Sequence, residues 1–215
     1  MQIALFGATG AVGGYFLNKA LAAGHEVTTL VRSPEKLGDQ PNLRAVKGNV
    51  TEASDVQSVI NQADVVVSCL GNVKGVMIMK RAVEAILQAA AAQPDMPKCL
   101  FVSSIGCGGS SWVVLQLLRL INSRAGFADY ERADARIARE ANVPYVLIRP
   151  AALKEKPGTE NTAFSKAMGH SRDRWPKRMS PRFFLTRWDL INGTAGADFN
   201  WLGASSQCGR ERPSG

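Results

Sequence analysis

Nowhere in this chain of 215 residues is there a run of about 18 apolar residues, so no membrane-crossing helix is expected. Histidine is scarce, with only His25 and His170, and the four cysteines (Cys69, Cys99, Cys107 and Cys208) show no C-x-x-C spacing. That pattern argues against a zinc site and a disulfide framework, and it predicts free thiols, no bound metal and a reducing, cytoplasmic setting. Apolar strand-like residues begin at Ile3, so no signal or transit peptide is expected. Acidic residues are the minority, 18 against 26 basic ones, for a net charge of +8. The imbalance is uneven: residues 1–150 carry 15 basic and 12 acidic side chains, and residues 151–215 carry 11 and 6. A nucleic-acid partner would therefore rest on the basic tail alone and is not expected of the rest.

What is present begins with Ile3-Ala4-Leu5-Phe6-Gly7-Ala8-Thr9-Gly10-Ala11-Val12-Gly13-Gly14, an apolar strand that runs into glycines spaced G-x-x-G-x-x-G. Glycines at that spacing allow positive φ and close approach of backbone N–H groups to a phosphate, and the following helix directs its positive end at the anion. Gly7, Thr9, Gly10, Val12 and Gly13 are thus candidate ligands of a dinucleotide pyrophosphate.

Further along, helical periodicity predicts a helix from Val12 to Ala23 capped by Gly24, and β-branched residues predict strands at Glu26–Arg32, Leu43–Val50, Asp64–Leu70, Lys98–Ser103 and Pro144–Arg149. Helices are expected from Thr51 to Gln62, with capping chemistry in Thr51-Glu52-Ala53-Ser54-Asp55, and from about Lys74 to Gln93. Two more are expected at Trp112–Asn122 and Phe127–Asn142. Apolar strands alternating with helices predict an α/β fold, a doubly wound parallel sheet covered by helices on both faces, with ligands outside the C-terminal strand ends. The regular alternation stops after Leu153. The expected organisation is a domain at 1–153 and a basic, divergent segment at 154–215, in which Lys154–Thr159 reads as a linker and one helix is expected at Pro181–Asn192. No final edge strand is recognisable there, and the last residues, from about Ala204, read as disordered.

Four segments in order, Gly7–Gly13, Val31-Arg32-Ser33-Pro34-Glu35-Lys36, Val102-Ser103-Ser104-Ile105-Gly106 and Tyr145–Pro150, resemble the atypical short-chain dehydrogenase/reductase group, within it the NmrA-like and flavin-reductase (biliverdin-reductase-B-like) NAD(P)-binding proteins. The resemblance covers residues 1 to about 153 and implies a Rossmann-like fold and a dinucleotide cofactor. It is less specific for reaction, because the group contains reductases, isomerases and non-catalytic sensors.

Arg32 lies 25 residues after Gly7, where a ribose-reading residue is expected. A guanidinium there suits a 2′-phosphate and a carboxylate would repel one, so NADP(H) is preferred over NAD(H), with Ser33 and Lys36 adding a hydroxyl and a second charge. Asn49 stands where relatives carry an aspartate beside the adenine, and it can both donate and accept. Gly71 would let the backbone pass under the cofactor ribose. Ser103 occupies the position of the family serine that faces the nicotinamide, and Tyr130 that of the family tyrosine; these two are the candidate catalytic residues. The Tyr-x-x-x-Lys pair is broken, however, because Asp134 replaces the lysine. That loss turns the expectation toward reduction of a flavin, quinone or small carbonyl acceptor. The alternative is a non-catalytic NADP(H)-sensing regulatory protein.

Overall fold

The computed structural model describes residues 1–72, 76–103, 124–148, 152–155 and 197–200. Its central strand β1 (Gln2–Phe6) is buried from Ile3 to Phe6, because neighbouring strands flank it and helices cover both of its faces. Helix α1 (Ala11–Ala22) follows, and Gly24 at φ +75° closes it: the Gly24 N–H donates to the Leu21 carbonyl and the His25 N–H to the Ala20 carbonyl, the paired bonds of a glycine-capped helix end. The chain then builds β2 (Glu26–Val31), a single turn at Pro34–Lys36, β3 (Leu43–Lys47), α2 (Ala53–Ile60), β4 (Val65–Ser68) and α3 (Met79–Ala91). Next come β5 (Lys98–Val102), α4 (Arg124–Ala138) and β6 (Tyr145–Ile148).

All six strands are parallel, in the order β3-β2-β1-β4-β5-β6, so the chain reverses its direction of travel across the sheet between β1 and β4. This is the doubly wound arrangement expected from the alternating pattern, and it opens a crevice at the C-terminal end of β1. One face packs Ala4, Phe6 and Val66 against α2, α3 and α4 through Ile60, Ile86 and Ile137; the other packs Ile3, Leu5 and Val67 against α1 through Phe16 and Leu17. Each of the valine, leucine, isoleucine and phenylalanine side chains among these contributes about 1.5–3 kcal/mol by leaving water. The buried polar Thr29 is satisfied within the sheet, its Oγ1 donating to the Leu5 carbonyl at 2.7 Å.

Several boundaries differ from the sequence expectation. Helix α2 starts at Ala53 without a side-chain cap, because Asp55 turns away to accept the Asn49 N–H at 2.9 Å. Helix α3 starts at Met79, five residues later than expected, where side chains from outside the helix satisfy its first N–H groups. Helix α4 ends at Ala138, since Glu140 Oε1 accepts the Asn142 N–H and starts the turn into β6. The linker reading of Lys154-Glu155 is corrected: Ala152–Glu155 forms β7, paired antiparallel with β8 (Ala197–Asn200) in a separate two-stranded sheet. β8 escaped the sequence reading because ADFN is four residues long and contains no β-branched residue. The helices expected at 112–122 and 181–192, and the tail read as disordered from about 204, lie outside the described residues.

Candidate functional site

The phosphate cradle is assembled by backbone contacts that exclude side chains. Gly7 leaves β1 at φ +88°, and a Cβ placed on it would lie 2.6 Å from the Cys69 carbonyl oxygen at the end of β4. A Cβ on Gly13 would overlap the Gly7 carbonyl itself. The first turn of α1 can therefore settle directly on the strand end, which a larger residue at either place would prevent. Gly10 N–H donates to the Gly7 carbonyl at 3.0 Å and Gly14 N–H to the Gly10 carbonyl at 2.7 Å, which fixes the turn. The first turn of α1 carries no acidic residue, and Thr9, Gly10 and Ala11 are exposed. The positive end of the helix thus faces solvent with nothing negative on the first turn to oppose an anion.

A cleft of about 290 Å³ adjoins this turn, lined among others by Thr9, Gly10, Asn18, Lys36 and Gln40. The fold thus brings Lys36 to the glycine turn. Arg32 is exposed just past the end of β2, and Val12 is half-buried against the α1 face of the core. Asn49, also exposed, is partly committed: its Oδ1 accepts the Thr51 N–H at 3.2 Å, leaving the amide Nδ2 as the polar group for an adenine.

On the other side of β1, the ends of β4 and β5 carry the remaining candidates. Ser103 follows β5 with its N–H held by the Ile148 carbonyl at 2.7 Å, and its Oγ donates to Asp134 Oδ1 at 2.5 Å. Tyr130, one helical turn before Asp134 on α4, directs its hydroxyl to the end of β4: it accepts the Asn72 N–H at 3.3 Å, and a Cβ on Gly71 would come within 3.0 Å of it. The structure therefore brings Ser103 to Asp134 and Tyr130 to Gly71-Asn72.

Asn72 and Asp129 were not singled out from the sequence. Asn72 Nδ2 donates to the Gly126 carbonyl at 3.0 Å and its Oδ1 accepts the Ile78 N–H at 3.2 Å, while buried Asp129 accepts the N–H groups of Met79 and Lys80. The available signal was an Asx residue shortly after a strand and an aspartate beside the candidate tyrosine. Cys69, between Gly7 and Gly71, is half-buried, and burial pushes its thiol up to about 12, which disfavours the thiolate at neutral pH. Among the described residues no three His, Cys, Asp or Glu side chains form a group that could hold a metal, and no helix is long and apolar enough to cross a membrane.

A parallel sheet in this order, with a glycine turn and a helix N-terminus at its crossover point, defines a Rossmann-type dinucleotide-binding protein. The family model described as NAD(P)H-binding matches residues 7–177, and the chain belongs to that family. The averufin oxidase stcO of Emericella nidulans is 27% identical over 193 residues, covering 75% of this chain and 65% of that protein. The chain thus spans about two thirds of the length of that curated relative, or 65% of it. Among solved structures, a short-chain dehydrogenase/reductase (wide type) from Veillonella parvula in complex with NADP superposes with a TM-score of 0.57 at 17% identity, covering 73% of this chain and 76% of that one. The enzyme WbmH from Bordetella bronchiseptica, in complex with NAD+, gives 0.57 at 18% identity, covering 72% and 57%. At these identities the likeness to solved structures is one of fold. The Rossmann-like fold and the dinucleotide-binding family implied by the sequence resemblance are both met.

Proposed function

We propose that this chain is an NADP(H)-dependent oxidoreductase of the atypical short-chain type that reduces an acceptor able to take its proton from water, a flavin or quinone ahead of a small carbonyl. The observation that carries this reading is the hydrogen bond from Ser103 to Asp134. A serine that donates its only proton to a buried carboxylate has none to polarise a carbonyl, and the lysine that would make a neighbouring tyrosine acidic is absent. Tyr130, without that lysine, is placed as an acceptor for the Asn72 N–H. Flavins and quinones need neither group, because the cofactor supplies the hydride and solvent supplies the proton.

In this reading Gly7, Gly10 and Gly13, with Thr9 and Val12, hold the pyrophosphate, and Arg32 and Lys36 pair with the 2′-phosphate. Asn49 meets the adenine, and Gly71 and Ser103 lie along the nicotinamide half. Residues 1–153 form the binding domain, residues 154–215 a divergent appendage, and the protein works in the cytoplasm on a small-molecule substrate. The relative named as an oxidase supports the reaction class.

The NmrA-like alternative, a sensor that binds NADP(H) without turnover, is favoured by one observation, the aspartate at position 134. One set of measurements separates the readings. NADPH and NADH are titrated against the wild type and Arg32→Glu, and NADPH consumption is followed with flavins, quinones and carbonyls. A wild-type preference for NADPH that Arg32→Glu abolishes, together with turnover of a flavin or quinone, is the expected result. Binding without turnover of any acceptor supports the sensor, and a preference unchanged in Arg32→Glu refutes the cofactor assignment.

A further inference from the structure

The pyrophosphate cradle stands at the end of β1, with β2 and Arg32 on one side and β4 and β5 on the other. A dinucleotide whose ribose phosphate is read beside β2 must lay its other half over the ends of β4 and β5, where Gly71 and Ser103 are found. There the polar groups are unequal in access. Asp134 is 3% exposed and is hydrogen-bonded to Ser103, which is 9% exposed. Their separation of 2.5 Å is that of a hydroxyl donating to a carboxylate, about 2.5–2.7 Å. The backbone of Ser103 is itself pinned to β6 through the Ile148 carbonyl at 2.7 Å, which fixes the place from which its side chain reaches Asp134.

Resting on the functional reading above, we propose that Asp134 is a positioning residue that sets the polarity of the site: it accepts the hydrogen bond of the Ser103 hydroxyl, so that Ser103 offers bound ligand only lone pairs. A site so arranged selects an N–H donor at that point and is indifferent to a carbonyl. In a nicotinamide dinucleotide that donor is the carboxamide NH₂. The aspartate is then more than the loss of a lysine, since it converts the neighbouring serine from donor to acceptor. The role is one of binding and orientation, and no bond is made or broken in it.

The test compares NADP+ with its 3-acetylpyridine analogue, in which a methyl group replaces the carboxamide NH₂, by equilibrium titration of the full chain. The wild type is expected to bind the analogue roughly fivefold more weakly, the value of one hydrogen bond. Ser103→Ala and Asp134→Leu should bring the ratio to about one. Asp134→Asn should keep it, because the amide oxygen still accepts from Ser103. A general loosening of the site would weaken both ligands alike and leave the ratio unmoved. Circular dichroism checks folding, with Asp134→Ala as the second variant if leucine is not accommodated. Equal binding of the two ligands by the wild type, or discrimination that survives Ser103→Ala or the apolar replacement of Asp134, overturns the proposal. If that happens while flavin or quinone turnover persists, the reductase reading stands. Failure of the wild type to bind either dinucleotide overturns both.

Discussion

The carboxylate of Asp129, on α4, accepts the backbone N–H of Met79, the first residue of α3, at 2.8 Å, and its second oxygen accepts the Lys80 N–H at 3.2 Å. A helix begun at Ile78, which cannot cap it, is thus capped from a different helix. Replacing Asp129 by alanine leaves the Met79 N–H buried without its acceptor and the Lys80 N–H to solvent. The expected cost is about 1–3 kcal/mol of stability, measured by urea unfolding, with Asp129→Asn losing less because one oxygen remains.

Gly13→Ala is expected to damage the cradle far more than Gly14→Ala. The Cβ added at Gly13 meets the backbone of Gly7, which has no rotamer with which to move aside, whereas at Gly14 the nearest atom is the Ala8 carbonyl oxygen at 3.3 Å. Dinucleotide affinity should fall at least tenfold in Gly13→Ala and by less than about threefold in Gly14→Ala, each read by fluorescence titration.

Burial pushes the thiols of both Cys69 and Cys99 up to about 12 from an ordinary value of 9.0, with the charge of Glu140 adding to the effect at Cys99. Between those limits the unfolded chain gives up these protons and the folded chain keeps them. Stability is therefore fully present below about pH 9 and falls as pH rises toward 12, by roughly 1 kcal/mol per pH unit for each thiol. Denaturation curves at successive alkaline pH values should show this slope, and Cys99→Ala should lessen it whatever its own effect on stability at neutral pH. A thiol reagent at pH 8 should label both residues slowly in the folded protein.

Tyr130→Phe discriminates an anchor from a proton donor. The hydroxyl accepts the Asn72 N–H beside Gly71, so its removal should weaken dinucleotide binding about two- to fivefold. The rate with a quinone at saturating cofactor should change by less than about threefold. A hundredfold loss in kcat would instead make Tyr130 the proton donor.

The strand, glycine turn and helix were legible in the sequence because their requirements are local: an apolar run, glycines at fixed spacing and a helical period, all within residues 3–22, need nothing distant to be recognised. The parallel sheet followed for a similar reason, since strands buried on both faces must be apolar throughout. Asp129 and Asn72 were not legible. Their partners lie 50 and 54 residues away along the chain, at Met79 and Gly126, and no periodicity links such pairs. β8 was hidden by its shortness, and β7 by looking like a linker until it found that partner.

What the amino-acid sequence determined by itself was the fold class and the glycine turn, through backbone sterics and hydrophobic periodicity acting over short distances. It also placed an aspartate, Asp134, four residues after Tyr130, where the resemblance leads one to expect a lysine. Only the tertiary structure decided what that aspartate does. Folding brings it to Ser103 across 31 residues, and a hydrogen bond of 2.5 Å depends on where two elements pack, which no spacing along the chain encodes.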